Sequence, residues 1–153
     1  MLKINVASIA KREDDVYDTA IKDLSRMASR YAKIEDKIIF DKKIAKAQTI
    51  GTNEARASYT DALAPLVGGY SIALHPAGKK VDSEGFSKLL TRGNPICFFI
   101  GGAYGFDEAF LALCHEKISL SDLTMSHKIA KVVLYEQIYR ALAMQAGHPY
   151  HKE

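Results

Sequence analysis

Apolar runs of strand length alternate with stretches of helical spacing along almost the whole chain, and that alternation confines it to an α/β architecture. "LKINVASIA" reads as a first strand. From Tyr17 the apolar residues Ala20, Ile21, Leu24, Met27 and Tyr31 recur three and four apart, which predicts a helix with one buried face. "KIIF" reads as a second strand, followed by a lysine-rich loop and by a helix around residues 54–66 that stops at Gly68 and Gly69. "YSIAL" is a third strand, residues 82–90 a short helix and "NPICFFI" an apolar buried strand. Residues 107–114 form a further helix, and a last short strand is expected near Ile118. No repeat or low-complexity linker interrupts this order. The expectation is a single domain over residues 1–153, a mostly parallel sheet with helices on both faces.

The final helix carries information of its own. In "KVVLYEQIYRALAM", residues 131–144, only Lys131, Glu136, Gln137 and Arg140 are strongly polar, so apolar groups lie on nearly every side. A helix of that kind has to be buried on every side. The sheet covers one face, and a second copy of the chain is the simplest cover for the other, which predicts a homodimer. The competing reading is a core helix with a few exposed apolar groups. Glu136 and Arg140, four apart, are spaced to pair along the helix.

Composition limits the partners. Apolar residues at 48% and charged residues at 25% are ordinary for a soluble globular domain. No run approaches the roughly 18 apolar residues of a membrane span, and the start lacks an export signal, so a cytoplasmic protein is expected. Cys97 and Cys114 are too isolated for a disulfide framework or a thiolate metal site. A net charge of +3 permits an anionic partner without requiring one. Lys22, Arg26 and Arg30 lie four apart on the polar face of the first helix, Lys33 continues the row, and Lys42, Lys43 and Lys46 enrich the following loop. Such a row is either a solvated face or an RNA contact.

Three segments, "LHPAGK", "IGGAYGFD" and "LSDLTMSHK", each follow a strand, and in open α/β sheets ligands gather beyond the carboxyl ends of strands. Gly101 and Gly102 either leave the backbone bare to a ligand or serve a tight turn with Gly105, and their spacing is not the dinucleotide fingerprint. Ser121, Thr124 and Ser126 precede a helix, where hydroxyls cap free amides. His148 and His151 are three apart but lack neighbouring ligands, so no metal site is expected. His115 reads as a helix-surface residue. His127, at the start of the last helix, reads as a group that orients the preceding loop by hydrogen bonding.

The ordered set "LHPAGK", "FFIGGAYGFDEA", "LSDLTMSHKIAKVVLYEQIYRA" and "HPYHKE" closely resembles the RlmH family of the SPOUT superfamily, small methyltransferases that modify pseudouridine in large-subunit ribosomal RNA. The resemblance covers essentially the whole chain and is most specific from Leu74 onward. It implies a SPOUT-type α/β-knot with a C-terminal trefoil knot, dimerisation through the last helix and S-adenosyl-L-methionine as methyl donor. Carried onto matching positions, it implies that Leu74, Gly102, Ser121, Asp122, Leu123, Thr124, Met125 and Ser126 bind that cofactor. It also implies that the tail residues Tyr150, His151 and Lys152 lie beside the cofactor, at a site completed across the dimer, positioning the base and stabilising charge. Pro149 lowers the entropy lost when such a tail becomes ordered.

The same resemblance turns Lys22, Arg26 and Arg30 toward RNA and makes 23S rRNA in the ribosome the expected partner, with neither membrane nor metal involved. The chain departs from the family pattern at His75, where aspartate is common, and at Lys131 and Lys152, where arginine is common. Lysine keeps the charge but loses the planar two-pronged hydrogen bonding of arginine. Two other readings stay open at this point: a tRNA-directed SPOUT methyltransferase, and a non-catalytic protein that binds RNA or the ribosome.

Overall fold

The computed structural model describes residues 1–152. Five strands, β1 (Leu2–Ile9), β2 (Ala32–Ile39), β3 (Tyr70–Lys80), β4 (Ile96–Ile100) and β5 (Glu116–Ser119), form one sheet in the order β2-β1-β4-β3-β5, with every pairing parallel. Parallel strands need crossovers, supplied by α1 (Val16–Ala28) between β1 and β2, α2 (Lys42–Ile50) and α3 (Thr52–Leu63) between β2 and β3, α4 (Ser83–Leu89) between β3 and β4 and α5 (Glu108–Leu113) between β4 and β5, while α6 (His127–Gln145) follows the last strand. All but α3 start on a side-chain cap, from Asp15, Asp41, Asp82, Asp107 and Ser126. Each such cap contributes about 1 kcal/mol to where its helix begins.

Central β4 is buried at every position, which is why it reads as an unbroken apolar run. Its side chains divide between two cores. Ile96, Phe98 and Ile100 join Ile4, Val6 and Ile72 under α1, α4 and α6, while Cys97 and Phe99 join Ala7, Ile9, Ile44, Tyr59 and Phe110 under α2, α3 and α5. The expected layering of helices on both faces of a parallel sheet is therefore present.

Three local expectations are corrected. The lysine-rich segment after β2 is helix α2, not a loop: Asp41 caps it, Ile44 alone is fully buried, and Lys42, Lys43 and Lys46 point to solvent. One buried residue in nine leaves too faint a periodicity to read. The second strand runs over eight residues from Ala32 rather than over "KIIF" alone. The segment "LHPAGK" does not follow its strand but continues it, and the register jumps, with Leu74 and Lys79 both opposite Ile118 of β5. Gly78 sits where a Cβ would come within 2.5 Å of the Ile118 backbone, so only glycine lets the bulged strand close back onto β5.

Helix α6 packs against both α1 and α4 as well as the sheet, burying Leu134, Tyr135, Ile138, Tyr139, Ala141, Leu142 and Ala143. Its all-round apolar pattern is thus satisfied largely within one subunit, leaving Val133 and Met144 half-buried and Ile129 exposed. Lys131, polar in the sequence, is buried as well: its Nζ lies 2.9 Å from Asp36 Oδ1 and 3.3 Å from Ser8 Oγ, tying α6 to β1 and β2. The Glu136–Arg140 pair forms as its spacing predicts, at 2.7 Å. Among the described residues no helix is long and apolar enough to cross a membrane.

Candidate functional site

Because neighbouring β3, β4 and β5 are parallel, their carboxyl ends come to one edge of the sheet, and the segments that leave them enclose a cleft of about 820 Å³. Its size suits a small organic ligand. Leu74, Gly102, Ser121, Asp122, Leu123, Thr124, Met125 and Ser126 all line it, although residues 74 and 126 are far apart in sequence. His75, Arg56, Tyr104 and Phe106 line it too. Of these, Arg56 carries no sequence signal, because it reaches the cleft only through the packing of α3 on the glycine loop, where its Nε meets the Tyr104 carbonyl.

The glycine loop forms one wall. Gly105, at φ +75°, turns the chain so that its N–H donates to the Gly102 carbonyl at 3.0 Å. A Cβ on Gly102 would lie 2.7 Å from the Tyr59 ring and 3.0 Å from Ile9, and one on Gly101 would lie 3.2 Å from the Gly105 backbone. The tight turn is present and protein fills the space that side chains would need, while the backbone of Gly101 and Gly102 still lines the cleft. Tyr59 is fully buried, bonded to Gln48, and burial pushes its hydroxyl pKa up. Arg56 Nε donates to the Tyr104 carbonyl at 2.7 Å, and Asp107 Oδ1 accepts from Thr60 Oγ1 at 2.7 Å while capping α5. The wall is bolted to α3.

The facing wall, residues 119–126, is held by its own hydroxyls. Ser119 Oγ donates to the Ser121 carbonyl at 2.9 Å, Ser121 Oγ accepts from the Leu123 N–H at 2.9 Å, and Ser126 Oγ accepts from the Ile129 N–H at 3.3 Å. Of the three expected capping hydroxyls, Ser126 caps α6, while Ser121 closes a turn within the loop. Thr124 makes no side-chain hydrogen bond among the described residues. Leu123 stands 76% exposed at the lip, and Asp122 pairs outward with Lys80. Behind this wall Lys128 reaches Asp15 at 2.6 Å and Glu13 at 2.7 Å, anchoring the start of α6. The Lys128 hydrogen bond, helped by the Asp18 amide, holds the Asp15 carboxyl below its usual range.

The histidines are reassigned. His75 Nδ1 accepts from the Ala77 N–H at 3.0 Å, and burial, reinforced by Lys117, lowers its pKa, which favours the neutral ring. His127 lines the cleft but makes no side-chain hydrogen bond among the described residues, so Ser126 rather than His127 orients the loop. His115 lies between α5 and β5 instead of on a helix surface; its Nδ1 accepts from the Ser71 N–H at 3.1 Å and its ring stacks on Tyr70 at 5.0 Å. Among the described residues no group of three or more His, Cys, Asp or Glu could hold a metal ion.

The tail is elsewhere. Tyr150 meets Tyr139 edge-on at 4.7 Å, its hydroxyl donates to Glu136 Oε1 at 3.3 Å, and the Arg140 guanidinium lies 4.8 Å from its ring centre. His151 Nδ1 is 3.0 Å from Arg140 Nη1, and Lys152 is exposed. None of the three lines the cleft of its own subunit. Their docking point at Glu136 is about 13 Å along α6 from His127, at 1.5 Å per residue. One subunit therefore does not bring tail and cleft together. Lys22 and Arg26 lie on α1 as their spacing predicts, paired with Asp18 at 2.9 Å and Asp23 at 2.6 Å, but the helix ends at Ala28, so Arg30 falls in the turn after it, over the Tyr31 ring. Most of the row's charge is answered on its own helix.

A cleft with a rigid glycine wall, an apolar lip from Leu74, Leu123 and Met125, and an unpartnered Thr124 hydroxyl suits a ligand that is part flat and apolar, part polar. Comparison with known proteins narrows the choice. Residues 2–151 match a family model described as "Predicted SPOUT methyltransferase". The chain is 53% identical over 151 residues to the "Ribosomal RNA large subunit methyltransferase H" of Aliarcobacter butzleri (strain RM4018), covering 99% of this chain and 100% of the relative. It is 46% identical over 153 residues to the protein of the same name from Sulfurovum sp. (strain NBC37-1), with 99% and 100% covered. The fold is shared with a probable methylase family protein from Haemophilus influenzae Rd KW20, at TM-score 0.57 and 13% identity, covering 98% of this chain and 70% of that one.

Proposed function

The chain belongs to the SPOUT methyltransferase family, and on that premise we propose that it methylates N3 of a pseudouridine in the 23S rRNA of the large ribosomal subunit, with S-adenosyl-L-methionine as methyl donor. The observation that carries the reading is the meeting of Leu74, Gly102 and residues 121–126 around one cleft, in a chain that is 53% identical over its length to a relative named for this class of activity. Leu74, Leu123 and Met125 would flank the adenine, and the backbone of the two walls would supply its hydrogen-bond partners. When bound, S-adenosylmethionine supplies an activated sulfonium methyl: a nitrogen–carbon bond forms as the sulfur–carbon bond breaks, and sulfur keeps the electron pair.

The protein's own tasks are orientation and management of the N3 proton. A uracil-like imide is too weakly acidic for a neutral histidine to deprotonate outright at neutral pH, so stabilising the developing anion counts as much as accepting the proton. In this reading Tyr150 positions the base, His151 accepts the proton, and Lys152 stabilises the charge. Since the tail rests on its own α6 and away from its own cleft, a second copy has to present it, so the active form is a homodimer joined through α6. The superfamily's trefoil knot belongs to the same reading. The α1 row contributes little to it, because Asp18 and Asp23 already neutralise Lys22 and Arg26.

The test is transfer of labelled methyl from S-adenosylmethionine to undermodified ribosomes, free ribosomal RNA and tRNA in parallel. Label at a pseudouridine of the large-subunit RNA supports the reading. Label in tRNA alone reassigns the substrate, and absence of cofactor binding in calorimetry makes the protein non-catalytic. His151→Ala and Lys152→Ala should lower the single-turnover rate and change its pH profile, and a rate and profile untouched by both would remove the tail from the chemistry.

A further inference from the structure

Four cations meet in a second, shallow groove of about 550 Å³: Lys79 and Lys80 from the end of β3, Lys88 from α4 and Arg92 from the turn after it. All four are exposed. The two acids that also line the groove are engaged otherwise, Asp82 as the α4 cap that accepts from the Gly85 N–H at 2.7 Å, Glu116 as acceptor of the Tyr70 hydroxyl at 2.7 Å. Among the described residues neither forms an ion pair with Lys79, Lys88 or Arg92. Arg92 is steadied instead by Tyr70, its guanidinium 5.9 Å from the ring centre. The contrast with α1 is direct, since there Lys22 and Arg26 are each held by a carboxylate one turn or less away.

The groove also has an address. Lys80 lines it and pairs with Asp122, which lines the cleft, so the two depressions share a rim at that ion pair. A polyanion lying along Lys79, Lys88 and Arg92 would lead to the cleft mouth. Exposed cations without a carboxylate partner answer successive phosphates, whose charge is fixed and whose counterions are released on contact.

Resting on the assignment of an RNA substrate, we propose that this groove, and not the α1 row, binds the phosphate backbone of the RNA beside the nucleotide presented to the cleft. The test measures binding of the full-length protein to undermodified large subunits as a function of salt. In the Lys79→Ala/Lys88→Ala double variant the slope of log K against log salt should shrink by about 1.5, two phosphate contacts at roughly 0.7 to 0.9 each. Affinity for S-adenosylmethionine should stay unchanged, and Lys79→Arg/Lys88→Arg should restore the slope, which separates charge from folding. Lys22→Ala/Arg26→Ala should leave the slope where it is. A wild-type slope in the first variant, or the drop appearing in the α1 variant instead, overturns the groove while wild-type methylation of ribosomal RNA still stands. A wild-type protein that neither binds nor methylates any RNA overturns the substrate assignment itself, and the groove with it.

Discussion

Residues 101–107 and residues 121–126 face each other across the cleft, yet only the first are pressed onto buried core side chains. Gly102 is pressed onto Tyr59 and Ile9, the Tyr104 carbonyl is gripped by Arg56, and Asp107 is shared between α5 and Thr60. The second wall has short hydroxyl turns of its own, one exposed ion pair to Lys80, and a leucine with its side chain in solvent. The difference teaches that one side of the cleft carries packing that stabilises the fold and the other carries side chains left free of it. A wall that is part of the core opens only with the domain, whereas a wall with few buried contacts can adjust to a ligand at little cost.

Tyr59→Ala tests this division most severely. It removes a fully buried aromatic that backs the glycine wall, and the expected loss is about 3 to 5 kcal/mol in urea unfolding. A loss near that of a surface substitution would mean the wall is not anchored as described. Gly102→Ala comes next, since its Cβ meets Tyr59 at 2.7 Å and Ile9 at 3.0 Å, with an expected destabilisation of about 1 to 3 kcal/mol by overpacking. Leu123→Ala on the opposite wall should leave the unfolding free energy within about 0.5 kcal/mol. It should nevertheless weaken S-adenosylmethionine binding about tenfold in calorimetry, because the side chain gains its burial only from the ligand. If Leu123→Ala destabilised the fold as much as Gly102→Ala, the contrast between the walls would collapse.

Much of the secondary structure was readable because burial imprints a period. "NPICFFI" announces a strand covered on both faces, and the recurrence from Ala20 to Met27 announces α1. The signal failed where burial is slight or where tertiary packing overrides it. Helix α2 hides behind its lysines because one isoleucine is enough to seat it. "LHPAGK" looks like a loop because its histidine, proline and glycine are turn formers, but pairing with β5 extends the strand through it around a bulge. His115 gave no hint of its stack on Tyr70, which depends on β3 and β5 lying side by side. The cleft residues were identified from family resemblance, and geometry adds what resemblance does not contain: Gly102 is glycine for the sake of Tyr59, and the tail docks on Glu136 and Arg140 within its own subunit.

Local pattern settled most of the strands and helices, with α2, the start of β2 and the second half of β3 excepted, and that the sheet is covered on both sides, because backbone conformation and burial largely follow from residues close along the chain. Which strands lie side by side, that Leu74 meets residues 121–126, and that Lys79, Lys88 and Arg92 line one groove were decided only by tertiary packing. Those contacts join residues far apart in sequence, and their free energy depends on shapes and charges that do not exist until the layers have come together.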